Sequence, residues 1–116
     1  MRLRRGRQHK YIRDILRETT ITSNDLILPL FVKEGENIKE EIKTLPDIHR
    51  FSLDLLLKEI EIAAKFGIKA IALFPQIEPD LKNENCTEAF NENNLICRSI
   101  RKIKEAFPDI LIIADV

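Results

Sequence analysis

No apolar run in these 116 residues approaches the roughly 20 needed to span a bilayer, and no secretory core follows the basic start. With only 3 glycines, the chain holds neither a GxGxxG fingerprint nor a P-loop, so nothing in it cradles a nucleotide phosphate through a glycine-rich turn. Its 2 cysteines, Cys86 and Cys97, have neither CxxC nor zinc-finger spacing and read as free thiols of a reducing compartment. The histidines, His9 and His49, stand apart from any nucleophile or carboxylate pattern and read as non-catalytic. Low complexity is absent too: 44% of residues are hydrophobic and 33% charged, as in a globular, cytoplasmic chain of one domain at most.

The formal net charge is +0, but its distribution is lopsided. Residues 1–17 hold seven bases against one acid, a net of +6, and the remaining 99 residues hold twelve bases against eighteen acids, a net of −6. A basic arm on an acidic body favours association between copies over binding to nucleic acid or a membrane. Within that arm, "YIRDILRET" places Tyr11, Ile12, Ile15 and Leu16 at helical spacing, a short helix that needs a docking surface.

Beyond the arm the pattern alternates. "DLILPLFV" carries a continuous apolar run from Leu26 to Val32, suited to a parallel strand covered by helices on both faces, although Pro29 removes a ladder donor. "ENIKEEIKTLPDIHR" reads as a polar connector with no period. Ser52 is the expected N-cap of a helix with Asp54 in its first turn; Leu53, Leu56, Leu57, Ile60 and Ala64 form its apolar stripe, and Gly67 its stop. "IKAIALFP" is a second buried strand. A long polar loop then leads to a helix whose buried face is Leu95, Ile96, Ile100, Ile103 and Phe107, closed by Pro108. "ILIIADV" is the third strand. The order strand, helix, strand, helix, strand with right-handed crossovers predicts an α/β fold with three parallel strands. Three strands leave Ile110 to Ile113 as an unpaired edge, and a closed (β/α)₈ barrel typically needs about 250 residues. The expected architecture is therefore truncated: a basic arm over 1–25 and a partial barrel over 26–116.

Ligands of such folds sit beyond the carboxyl ends of the strands. The residues there are Lys33 and Glu34, Phe74 and Pro75, and Asp115. Lys33 makes a poor Schiff-base amine, because the adjacent Glu34 would stabilise its ammonium form. Asp115 follows an apolar strand and is expected to be sparingly solvated, placed to orient a lysine or a substrate amine. Glu78, Asp80, Glu84 and Glu88 could attract a hard cation but read as a solvated loop; no metal ligand is assigned.

Taken together, "YIRDILRET", "NDLILPLFVKEGENIKEEIKTLPDIHRFSLDLLLKE", "GIKAIALFP" and "EAFNENNLICRSIRKIKEAFPDILIIADV" resemble the N-terminal part of the delta-aminolevulinic acid dehydratases, or porphobilinogen synthases, from about Arg4 onward. The resemblance implies the first three strands and two helices of a TIM barrel, preceded by an arm that embraces a neighbouring subunit in a homo-octamer. It implies condensation of two 5-aminolevulinate molecules to porphobilinogen in haem and tetrapyrrole synthesis. Two lysines forming Schiff bases and a zinc or magnesium ion would assist. Asp115 matches the aspartate ending the third barrel strand, a supporting carboxylate, and Phe74 matches a substrate-binding position at the pocket's edge. The Schiff-base lysines and the metal segment would lie on later strands, so the chain alone is expected to be inactive. Two other readings are an interaction module that completes a split barrel or octamer, and the remnant of a decayed gene.

Overall fold

The computed structural model describes residues 4–115. Among the described residues the arm carries one α-helix, α1 (Lys10–Ile15), between two short 3₁₀ turns at Arg5–Arg7 and Ser23–Asp25; Tyr11 and Ile15 remain exposed together with the following Leu16. The body holds β1 (Ile27–Lys33), β2 (Lys39–Glu41), β3 (His49–Ser52), α2 (Leu53–Lys65), β4 (Ala70–Pro75), α3 (Leu95–Ala106) and β5 (Leu111–Ala114). The projecting arm gives the molecule a radius of gyration of 19.7 Å, against about 13 Å for a compact chain of this length.

Five strands form one mixed sheet in the order β2-β3-β1-β4-β5. The β1, β4 and β5 ladder is parallel, as the sequence predicts, with Leu30 opposite Leu73 and Ile71 opposite Ile112. The connector expected to lack structure instead adds two strands: β3 pairs parallel to β1, and β2 pairs antiparallel to β3. The sheet thus has five strands rather than three. Strands of three and four residues are too short to show alternation, and β2 is exposed throughout, so no apolar signal marks it.

Pro29 is accommodated by what lies beside it. Alternate residues of a parallel strand turn their backbone groups to the same neighbour. Val32 turns its carbonyl toward β4's side, accepting from the Gln76 N–H at 2.8 Å, so Pro29 turns the other way. There β3 begins to pair only at Phe31, and the donor that Pro29 lacks has no strand to meet.

Helix α2 stops as its sequence dictates. Gly67 adopts φ +84, its N–H donating to the Ala64 carbonyl at 3.0 Å while Ile68 N–H donates to that of Ala63 at 3.2 Å, a Schellman closure. Ser52 occupies the N-cap position, but its hydroxyl donates to Asp54 and accepts from the Ile38 N–H at 2.9 Å instead of capping the first turn. In the stripe, Ala63 is buried in place of Ala64. Helix α3 is capped by Asn94, whose side chain accepts from Cys97 N–H at 2.9 Å. Its buried face includes Ser99, which satisfies its hydroxyl on the Leu95 carbonyl at 2.7 Å and so sits in the core at little cost.

Both helices pack on one face of the sheet. Leu30, Val32, Ile71 and Leu73 meet Leu56, Ile60, Leu95 and Ile103 in a single core. The expectation of helices on both faces is corrected here. The α2 crossover runs from β3 past β1 to β4 and the α3 crossover from β4 to β5, and successive right-handed crossovers in one direction leave their helices on the same side. The opposite face keeps Ile27, Leu111 and Ile113 at 54%, 59% and 42% exposure.

Candidate active site

The carboxyl ends of β1, β4 and β5 lie together at one edge of the sheet, where a singly wound α/β chain places its ligands. The register aligns a transverse row there: Glu40 opposite Arg50, Arg50 opposite Phe31, and Phe31 opposite Phe74. The next ladder pairs Leu73 with Ala114, and Asp115 N–H donates to the Leu73 carbonyl at 3.3 Å, bringing Asp115 to the end of the same row. Phe74 is half-buried and stacks on Phe31, centroids 5.4 Å apart and planes at 25°.

Asp115 is exposed rather than sparingly solvated, because β5 is an edge strand among the described residues and no further strand covers it. It lines a cavity of about 290 Å³ walled by Pro75, Ile77, Leu81, Leu95, Ile96 and Ile100. Gln76 also lines this cavity, its Oε1 buried without a hydrogen-bond partner among the described residues, an acceptor placed to meet a donor there. Sequence reasoning passed over Gln76, although its position directly after Pro75 obeys the same end-of-strand rule that singled out Asp115.

The two charged residues at the end of β1 have other partners than their adjacency suggests. Lys33 donates to Glu40, which also faces Arg50 at 3.9 Å, and the Lys33 hydrogen bond and charge hold the Glu40 carboxyl below its ordinary range. Glu34 instead pairs with Arg98 of α3, whose Nε donates to the Asn93 carbonyl at 2.9 Å, tying the long loop to the end of β1. Lys33 is thus paired seven residues along the chain and Glu34 sixty-four residues along it. Asp54 is likewise held low, first by the Ser52 hydroxyl and then by backbone donors that include Asn37 N–H at 2.9 Å.

Among the remaining candidates, His9 stacks on Tyr11 in the arm and His49 lies against Phe51 on β3, both away from the cavity. Cys86 and Cys97 are free thiols. Glu78 and Glu88 line the cavity, whereas Asp80 and Glu84 do not. Among the described residues no three His, Cys, Asp or Glu side chains converge as metal ligands, so the donors present do not make a metal centre. No described helix is long and apolar enough to cross a membrane.

The fold defines an α/β chain whose two helix crossovers advance in one direction and whose candidate site lies at the carboxyl ends of its parallel strands. The family model described as Delta-aminolevulinic acid dehydratase matches residues 1–116. The chain belongs to the delta-aminolevulinic acid dehydratase family. It is 50% identical over 115 residues to the delta-aminolevulinic acid dehydratase of Chlamydia pneumoniae, covering 99% of this chain and 35% of that protein. Identity to the Bradyrhizobium diazoefficiens enzyme is 43% over 116 residues, covering 100% of this chain and 33% of that one. The crystal structure of delta-aminolevulinic acid dehydratase (porphobilinogen synthase) from Toxoplasma gondii ME49, in complex with the reaction product porphobilinogen, superposes with a TM-score of 0.93 at 40% identity. That match covers 100% of this chain and 33% of the other. The chain thus spans about a third of the length of these relatives.

Proposed function

We propose that this chain supplies the N-terminal portion of a porphobilinogen synthase, a cytoplasmic lyase that condenses two 5-aminolevulinate molecules to porphobilinogen with loss of water. The observation that carries the proposal is the superposition, over its whole length, on a dehydratase holding porphobilinogen. The two helix crossovers, advancing in one direction to β4 and then β5, support the assignment of β1, β4 and β5 as the first three strands of a (β/α)₈ barrel, with the open sheet face turned inward. Residues 1–25 are the arm and 26–116 the partial barrel.

Within this reading Phe74 walls the substrate pocket at the end of β4. Asp115, a carboxylate at the end of β5, orients an amine on the substrate or on a lysine. The family's two Schiff-base lysines and its zinc or magnesium ligands are assigned to none of the residues present. The chain by itself is therefore expected to form no porphobilinogen. Assaying purified 116-residue chain with 5-aminolevulinate tests this directly, and product formation would refute it. In the full-length enzyme, Asp115→Asn is expected to lower kcat on the order of 100-fold with the fold retained. A kcat unchanged by that substitution would remove Asp115 from the mechanism.

Association is supported by a separate observation. The basic arm exposes Tyr11, Ile15 and Leu16, with Ile15 at 81% exposure, while the body is acidic. The arm docks on the body of a neighbouring copy, in the homo-octamer that the family assignment suggests. Deleting residues 1–20 of the full-length enzyme is expected to lower the assembly size in analytical ultracentrifugation; an unchanged octamer would exclude this role.

A further inference from the structure

Phe74 is the penultimate residue of β4, and Pro75 after it fixes its own backbone φ. The main chain under Phe74 is thereby set by the ladder on one side and by proline on the other. What remains free is the ring, through rotation about its two side-chain torsions. Phe31, its register partner on β1, is stacked on it at 5.4 Å and 25°. This pair is half-buried on a sheet face whose peripheral apolar residues, Ile27 and Leu111, are largely exposed. The two rings thus protect each other where no helix does. On its far side Phe31 is flanked in register by Arg50, which faces Glu40.

We infer that Phe31 is a positioning residue for the substrate pocket: its ring holds that of Phe74 in the orientation that walls the bound substrate, without itself touching it. This rests on the porphobilinogen synthase reading and on Phe74 as a pocket residue. Offset aromatic stacking is strong enough to bias one side-chain orientation over its alternatives, and its loss lets the pocket wall rotate away between encounters with substrate. The effect therefore falls on substrate and product affinity more than on the chemical step.

The test uses the full-length enzyme with Phe31→Leu, Phe31→Tyr, Phe74→Leu and the Phe31→Leu/Phe74→Leu double variant, reading KM for 5-aminolevulinate, kcat, and affinity for porphobilinogen. Phe31→Leu is expected to raise KM about fivefold with kcat little changed, and to weaken porphobilinogen binding in step. Phe31→Tyr keeps the ring and is expected to restore both. In the Phe74→Leu background, Phe31→Leu is expected to add nothing, since its effect travels through the ring already removed. An active wild type with KM untouched by Phe31→Leu overturns the inference alone, as does a full additional loss in the double variant. A wild type that forms no porphobilinogen overturns the synthase reading and this inference with it. Should Phe31→Leu fail to fold, Phe31→Met takes its place with the same expectations.

Discussion

The two faces of this sheet are built from the same strands and nearly the same residue types, yet they live in different solvents. On one face Leu30, Val32, Ile71 and Leu73 are packed under α2 and α3. On the other, Ile27, Leu111 and Ile113 meet water, and the Phe31–Phe74 pair is half-buried by its own stacking. Hydrophobicity alone would assign both faces to a core. The difference comes from winding: crossovers that advance in one direction spend every helix on one side. The open face is then an apolar surface that the described residues leave without a cover, the kind that marks an interaction surface.

Substitutions that separate the two faces should differ most. Ile71→Ala, fully buried under the helices, is expected to destabilise the folded chain by about 2–5 kcal/mol in urea titration, whereas Ile113→Ala on the open face should stay within about 0.5 kcal/mol. Equal losses would mean that the open face is covered in solution, by another copy or by a partner. Gly67→Ala comes next. Its φ of +84 is left-handed, and a Cβ there would lie 2.8 Å from Ser23 Oγ, so about 1–2 kcal/mol is expected, read as a lower Tm. Asn94→Ala removes the acceptor at the start of α3 and should cost about 1 kcal/mol on the packed face, leaving the open face untouched.

The smallest expected effect is acidic. Asp54 has its folded pKa lowered, chiefly by the Ser52 hydroxyl, so its contribution is present above the unfolded-chain value of about 3.9 and is lost as pH falls through the lower folded value. Glu40, lowered by Lys33, acts in the same direction and in the neighbouring acidic window. Asp54→Asn should flatten the acid limb of a stability profile measured by thermal melts from pH 6 to pH 2, with no change near neutrality beyond the lost bond. An unaltered acid limb would show that the Ser52–Asp54 hydrogen bond, and the Asn37 N–H beside it, do not hold Asp54 in solution.

Much of the scaffold was legible residue by residue. The apolar runs at 26–32, 68–75 and 110–114 became β1, β4 and β5, and the stripe from Leu53 to Ile60 became the buried side of α2. Gly67 was readable as a stop because only a residue without a Cβ sits easily at positive φ. The candidate site was marked by position and by resemblance. End-of-strand placement favoured Asp115 over Lys33 and Glu34, which the fold commits to Glu40 and Arg98, and Phe74 was singled out by the resemblance. Gln76 and Phe31 carried no motif at all.

Local periodicity, caps and turn formers thus decided the order of elements and most of their limits, because those signals act within a few residues of chain. Tertiary structure decided the rest: the pairing of β2 and β3, the helix-free face, the Phe31–Phe74 stack and the tie from Glu34 to Arg98, 64 residues away. Each of these joins groups whose separation along the chain carries no periodic signature, and only the register of the sheet brings them within reach.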